Sequence, residues 1–413
     1  MTARPGALDV YATVGATQQL AGTATFTYRG TTATTTFTYA PGFLAAPGAY
    51  ALDPRLPLSR TPAFTAGLPA AFDDSTPDWW GQKLIERQRR LTAASAGGQA
   101  EPLTQPELLA GVSDLTRQGG LRYALPGTDT FVATTATVPQ LVTLPSLLEA
   151  ADLVLDDEEA GLAEALSLLL NAGSGTLGGA RPKASVADGD TLTIAKFPFR
   201  EDEWDVMAWE HLTLRLAARA GIAVPPSRLT AVGARHVLLL SRFDRTPAGA
   251  RIGYWSARTM TEAPNSAGND YLDLAAAIED TSSNAEADLR QLWLRIAFTV
   301  AVNNTDDHFH NHGFLRDGAG WMLSPAFDIN PNPSLAHTRV SALAGAVGRE
   351  DTLQNLISQA DYFGMSASEA TDGLQALTAS LTGWRALATE LDITPAEQDH
   401  VGAVIDSFIA RHH

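Results

Sequence analysis

Ten residues late in the chain, Asn303-Asn304-Thr305-Asp306-Asp307-His308-Phe309-His310-Asn311-His312, carry an unusual density of oxygen and nitrogen donors. They follow an apolar stretch from Leu289 to Val302 and precede Pro325-Ala326-Phe327-Asp328. Transfer of a phosphoryl group to a hydroxyl needs a carboxylate beside that hydroxyl. It also needs oxygen ligands that hold Mg²⁺ against the phosphates. Asp306 and Asn311 keep a five-residue step, and Asp328 lies beyond a short hairpin. That order supplies base, metal ligand and metal ligand as kinases do. Two other readings of the run stay open on spacing alone. Asp306-x-His308-x-His310-x-His312 could hold zinc or iron, and a loop this polar could be plain solvated surface.

Three further signals lie upstream. Gly173-Ser174-Gly175-Thr176-Leu177-Gly178-Gly179-Ala180-Arg181-Pro182-Lys183 is a Gly-rich turn of the kind that lets backbone N–H groups approach phosphate. It lacks the Gly-Lys-Ser/Thr tail of a Walker loop, and by itself a flexible connection is the commoner meaning of such a run. Lys196 ends the stretch Thr191-Leu-Thr-Ile-Ala-Lys, where Leu192, Ile194 and Lys196 share one strand face. Such a lysine either snorkels to water or meets a carboxylate or phosphate. Glu210 sits on a helix near Val206, Met207, Leu214 and Ala217, where an unpaired carboxylate would be costly. A strand lysine facing a helix glutamate is the kinase arrangement for holding ATP phosphates, and a structural ion pair is the plainer alternative.

The elements that must position these residues are legible in outline. Residues 10–14, 24–28 and 34–39 alternate Thr, Tyr, Phe and Val as strands do, with Arg29-Gly30 as a turn. A helix is expected from Trp79 to Arg90, and residues 92–110 read as a linker or flexible loop. Another helical stretch opens near 144, and Asp156 with Glu159 forms an Asp-x-x-Glu capping box before an Ala/Leu-rich helix. Strands are expected at 191–197 and 236–241, with a helix at 203–220 between them. Residues 313–316 and 321–323 flank the turn Asp317-Gly-Ala-Gly320, and from 285 onward the pattern is otherwise helical.

The chain has 413 residues, more than one core usually covers. A net charge of −17 repels phosphate backbones, which disfavours direct binding to DNA or RNA and favours a basic partner. No cysteine is present, so disulfides, thiolate zinc sites and cysteine nucleophiles are excluded. No run of about 18 apolar residues implies a membrane span, and the start shows no signal-peptide core. The expectation is a cytoplasmic protein.

Six motifs in order resemble the HipA family of serine/threonine kinases from bacterial toxin–antitoxin systems. They are residues 178–183 (GGARPK), 192–198 (LTIAKFP), the Glu210 helix ending in ARAGIAVP at 225, 241–245 (SRFDR), 304–314 (NTDDHFHNHGF) and 320–331 (GWMLSPAFDINP). The resemblance covers about 143–390, and Trp79-Trp80-Gly81 looks more loosely like the family's N-terminal subdomain. It implies an α+β, protein-kinase-like two-lobed fold of HipA type with a β-rich N-terminal subdomain (1–110). A kinase-like N-terminal lobe (111–245) and a mainly helical C-terminal lobe (246–413) would follow.

On the same resemblance the cofactors are ATP and Mg²⁺. Asp306 would be the catalytic base, and Asn311 and Asp328 the metal ligands. Lys196 would touch ATP phosphates with Glu210 as its partner. His308, Ser241, Phe243 and the loop residues Thr176, Leu177, Gly178 and Gly179 would also contact nucleotide. Thr176 stands where the family carries an autophosphorylated serine whose modification ejects the loop, and Ser174 is a nearby second hydroxyl. Partners implied are a protein substrate, of which glutamyl-tRNA synthetase is the known kind, and a small helix-turn-helix antitoxin of HipB type. DNA would be reached only through that antitoxin, and no membrane is involved. The alternative is a weakly catalytic scaffold acting as co-repressor with the antitoxin.

Overall fold

A computed structural model describes residues 4–412 except 16, 129, 134–137, 157–159, 175–178, 180 and 264–267. By internal contacts the chain divides into two units, Met1–Glu201 with Ala231–Trp255, and Asp202–Thr230 with Ser256–His413. The first opens on β1 (Ala7–Val14), β2 (Thr17–Arg29), β3 (Thr32–Tyr39), β4 (Ala63–Ala66) and β5 (Arg122–Ala124). These form an antiparallel sheet in the order β4-β3-β2-β1-β5. Thr, Tyr, Phe and Val suit a pleated, half-buried surface, which is why this stretch is extended. Gly22 is required in β2, because a Cβ there would lie 2.3 Å from the Thr38 carbonyl oxygen.

In a second sheet β6 (Lys183–Asp188), β7 (Thr191–Lys196) and β9 (Arg235–Ser241) pair antiparallel in that order. The period-two alternation gives it two unlike faces. Ala184, Val186, Ala195, Val237 and Leu239 join a core with Trp80, Leu84, Leu147, Val154, Leu166 and Leu169, from helices Trp79–Ser95, Leu144–Asp156 and Leu162–Asn171. Each such side chain contributes about 1.5–3 kcal/mol on full burial, less for alanine. The other strand face carries Lys183, Leu192, Ile194 and Lys196, with Lys183 and Lys196 directly opposite in register. Lys183 is buried, and its Nζ lies 2.6 Å from Asp78 Oδ2.

The structure differs from the sequence expectations in two places. Residues 92–110 hold the end of helix Trp79–Ser95 and all but the last residue of helix Gln105–Gly111, which starts on a Thr104/Glu107 capping box with Pro106 in its first turn. The low apolar content of the segment hid that start. Asp156 ends the helix Leu144–Asp156, and the next helix begins at Leu162 behind Gly161 in a left-handed conformation (φ +78°). Glu159, the other half of the expected box, lies outside the described residues.

The boundary between the units falls inside β8 (Ser227–Val232) and β10 (Tyr254–Ser256). The second unit is mainly helical, with an antiparallel hairpin of β11 (Gly313–Asp317) and β12 (Gly320–Leu323). Helix Ala285–Ala301 is its axis. Leu292, Trp293, Ile296, Phe298 and Val300 are buried, and Trp293 Nε1 donates to the Leu356 carbonyl at 2.9 Å.

Removing Asp78 would take away the carboxylate 2.6 Å from the buried Lys183 ammonium. Asp78→Ala is therefore expected to lower unfolding free energy by about 3–5 kcal/mol, read from urea denaturation. The double variant Asp78→Leu with Lys183→Met should recover most of that loss.

Candidate active site

The donor-rich run begins where helix Ala285–Ala301 stops. Asn303 takes a left-handed conformation (φ +56°), its N–H bonds to the Val300 carbonyl at 3.2 Å, and Asn304 N–H bonds to Thr299 at 2.8 Å. These are the two bonds of a Schellman stop. Asparagine tolerates this conformation better than most side chains. The Asn303 side chain then donates to the carbonyls of Asn332 (2.6 Å) and Ser334 (3.1 Å), which ties the segment after Asp328 to the helix end.

The two adjacent aspartates have opposite environments. Asp307 is buried at 4% exposure, with His312 Nε2 3.0 Å from its Oδ1. Its Oδ2 accepts from the Tyr271 hydroxyl and lies 3.5 Å from Arg339 Nη2. Burial alone would raise its pKa. The electrostatic attraction of the His312 ring, then Arg339 and the Tyr271 hydroxyl, outweigh burial and hold it well below the usual carboxylate range. Ser341 Oγ also donates to the Asp307 carbonyl at 2.6 Å. Asp307, which sequence reading gave no role of its own, is thus the anchor of the loop.

Asp306 is exposed, and its pKa is shifted upward. Partial desolvation is the largest cause, opposed by His308 and reinforced by the negative charges of Asp328 and Asp307. A raised carboxylate is a stronger proton acceptor, and the charges of His308 and Asp328 act on Asp306 directly. Asn311 Nδ2 donates to the Asp306 carbonyl at 3.2 Å, and this commits the amide nitrogen to the loop. Asp328 itself adopts φ +59°, an uncommon conformation for a residue other than glycine and one that recurs at functional sites. The following Ile329 carbonyl accepts from Thr213 Oγ1 on helix Val206–Arg219, the helix that carries the fully buried Glu210.

His308, His310 and His312 do not converge. His312 faces Asp307, His310 is exposed, and among the described residues no three His, Cys, Asp or Glu side chains gather as a metal group. The transition-metal reading therefore has no geometry behind it. The oxygen-donor pair Asn311 and Asp328 instead suits a hard, partly hydrated cation. Several buried polar atoms nearby, among them His308 Nδ1, Asn304 Nδ2, Asn330 Oδ1 and the ring nitrogens of His312, have no hydrogen-bond partner within the described chain. Buried polar atoms are rarely left so, and ligand or water is the usual reason.

Lys196, Gly179, Ser241 and Phe243 belong to the first unit. Lys196 is buried at the end of β7, while Leu192 and Ile194 on its face are half-buried. Lys183 Nζ, opposite Lys196 in register, donates to the Gly179 carbonyl at 2.9 Å and so ties the end of the Gly-rich loop to the same sheet. Ser241 and Phe243 continue from β9, with Arg242 N–H bonded to the Leu192 carbonyl at 3.1 Å. At the loop's other end Gly173 (φ +61°) abuts Thr116, where a Cβ would lie 2.1 Å from Oγ1, and Ser174 is fully buried. Thr176, Leu177 and Gly178 lie outside the described residues. Sequence reading named Lys183 as the end of the Gly-rich run but not its pairing with Asp78.

Because folding depresses the pKa of Asp307, its contribution is complete above the unfolded value near 4 and disappears as pH falls through the folded value. The wild-type protein should therefore lose stability on acidification below about pH 4. Asp307→Asn should be less stable at pH 7 and should lose less on going to pH 3, as urea midpoints at the two pH values would show.

Residues 175–384 match the HipA-like C-terminal domain, and residues 12–100 match the HipA N-terminal domain. A Sinorhizobium fredii protein named "Putative kinase Y4mE" is 24% identical over 200 residues, a match spanning 46% of this chain and 45% of that relative. The chain thus spans less than half the length of the relative it matches. The HipA, HipB and operator DNA complex of the Shewanella oneidensis MR-1 toxin–antitoxin system contains a chain of like fold. Its TM-score is 0.67 at 15% identity, covering 98% of this chain and 96% of that one. With both domains matched in chain order, and the C-terminal one spanning half of the chain's length, the protein belongs to the HipA family and has its kinase-like α+β fold.

Proposed function

We propose that this protein is an Mg²⁺- and ATP-dependent serine/threonine protein kinase, the toxin partner of a helix-turn-helix antitoxin. The observation that carries the reading is the split between neighbouring aspartates. Asp307 is spent on anchoring, and Asp306 is left exposed with a raised pKa, bonded through its carbonyl to Asn311 and coupled to Asp328. In the reaction the acceptor hydroxyl oxygen bonds to the γ-phosphorus as the bond to the β–γ bridging oxygen breaks. ADP leaves, and the hydroxyl proton moves toward Asp306. Mg²⁺, when bound, offsets charge on the phosphates, and Asn311 with Asp328 would hold it. Lys196 would neutralise phosphate charge.

The Shewanella HipA forms its complex with HipB and operator DNA. By analogy this chain, with its charge of −17, would leave DNA contact to a basic antitoxin. A cytoplasmic location accords with that role. Among the described residues no helix is long and apolar enough to cross a membrane.

Calorimetry and single-turnover phosphorylation together test the reading. Asp328→Ala is expected to weaken Mg²⁺·ATP binding by about tenfold or more. Asp306→Ala should leave nucleotide affinity nearly intact and lower turnover by about 10²–10⁴-fold. Equal ATP affinity with and without Mg²⁺, or full activity of Asp306→Ala, would sink the assignment.

Autophosphorylation is expected at Thr176. Ser174 is fully buried, so its hydroxyl is a poor acceptor. A phosphate on Thr176 would add about −1.5 to −2 charges to an already acidic chain, and loss of activity is the expected result. Mass spectrometry after incubation with Mg²⁺·ATP should place phosphate on Thr176. Full activity of a protein quantitatively modified there would show that the switch does not operate.

A further inference from the structure

Beside Asp306 the second unit contains a cavity of about 430 Å³, lined by Thr305, Asp306, Ala336, His337, Thr338 and Val340. Its volume lies in the range of ligand-binding clefts, about 300–1,000 Å³. One wall is the catalytic-loop segment 305–306, and the other is the stretch 336–340, some ten residues beyond Asp328.

That second wall is fixed in advance. Arg339 is buried and points inward. Its Nη1 donates to the Asn304 carbonyl at 3.0 Å, and its Nη2 donates to Thr299 Oγ1 at 2.8 Å and lies 3.5 Å from Asp307 Oδ2. Val340 N–H bonds to the Thr305 carbonyl at 3.0 Å. The residues on either side of Arg339 are thereby turned outward, and Ala336, His337, Thr338 and Val340 are all exposed. A surface held by the same buried carboxylate that anchors the loop of Asp306 needs no ordering when a second molecule arrives, which lowers the cost of binding.

The chemistry of the walls limits what they can receive. No Lys or Arg lines the cavity, its one acid is Asp306, and the whole chain is strongly acidic. Val340 and the neighbouring Leu335 expose apolar surface, at 37% and 51%. His337 adds one directed donor. Asn332 Oδ1 accepts from Ser334 N–H at 3.0 Å, which fixes the amide, so its Nδ2 donates both to Thr305 Oγ1 (2.9 Å) and to His337 Nδ1 (3.0 Å). With Nδ1 accepting, the neutral ring carries its proton on Nε2, where it can donate to a carbonyl.

The geometry points to this groove as the site for the acceptor segment of the protein substrate. That segment is an extended stretch whose Ser or Thr hydroxyl reaches Asp306, flanked by small apolar or basic residues and not by acidic ones. The inference rests on the kinase reading above and adds to it the side of approach and the class of sequence recognised. An Asp or Glu beside the acceptor would meet Asp306 with no Lys or Arg among the lining residues to receive it. A neutral or basic flank meets apolar surface, the His337 donor and a favourable field.

The test uses the full-length protein, labelled Mg²⁺·ATP and an oriented peptide library with a fixed central Ser or Thr. The wild type should phosphorylate peptides with neutral or basic flanks at least about tenfold better than those with acidic flanks. Ala336→Trp, at an exposed position, fills the groove. It should raise KM for the best peptide by about tenfold or more while Mg²⁺·ATP affinity stays within about twofold. Val340→Asp should shift selection further toward Lys and Arg. A wild type indifferent to flanking charge or preferring acid overturns the proposal. So does an unchanged KM in Ala336→Trp, or a protein that binds Mg²⁺·ATP yet labels no library peptide. Failure of the wild type to bind Mg²⁺·ATP at all would instead overturn the kinase reading.

Discussion

Asp307 keeps an ionised carboxylate almost wholly out of water, and three elements distant in sequence must meet to make that tolerable. Tyr271 comes from helix Tyr271–Thr281, His312 from the turn before β11, and Arg339 from the segment beyond Asp328. Each contact offsets part of a desolvation cost that would otherwise be several kcal/mol. Because the partners are dispersed, the carboxylate does more than neutralise charge. It fixes the loop that carries Asp306 and Asn311, and through Arg339 it fixes the groove wall as well, to which Ser341 adds a bond to the Asp307 backbone carbonyl. Asp306 stands exposed on the backbone that its buried neighbour holds in place.

The first unit rests on a related device with opposite sign. Lys183 and Lys196 stand side by side on one sheet face, a pairing that like charges would resist. Asp78, capping helix Trp79–Ser95, also approaches Lys183 within 2.6 Å, so one of the two charges is neutralised. Lys183 in turn holds the Gly179 carbonyl. The N-terminal helix, the Gly-rich loop and the strand of Lys196 are thereby linked through a single ammonium. A second buried network, in which Arg242 and Arg245 pair with Asp244 and Arg117 binds three backbone carbonyls, secures residues 113–119 to the end of β9. Gly173 packs against Thr116 of that same segment.

What the sequence determined by itself was set by local periodicity and by spacing along the chain. The Thr/Tyr/Phe alternation of residues 7–39, the run ending in Lys196, the helix of Glu210 and the Asp317–Gly320 turn all follow from short-range sterics and one-sided burial, so each was legible. So was the order Asp306, Asn311, Asp328, because a motif is a statement about chain distance. The start at Gln105 and the start at Leu162 were not, since polar or glycine-bounded helix ends carry little hydrophobic signal.

Tertiary structure alone decided how two adjacent aspartates divide their roles. In a helix or strand a side chain's direction follows from its position, but in the loop 303–312 no period operates. The direction of Asp307 is set by Tyr271 and Arg339, each more than 30 residues away. The same is true of Lys183, which reads as the tail of a loop until Asp78, 105 residues earlier, is found beside it. It is true again of the groove, whose walls come from 305–306 and 336–340. Chain order named the candidate residues, and long-range pairing of buried charges decided which of the two aspartates is buried and which is exposed.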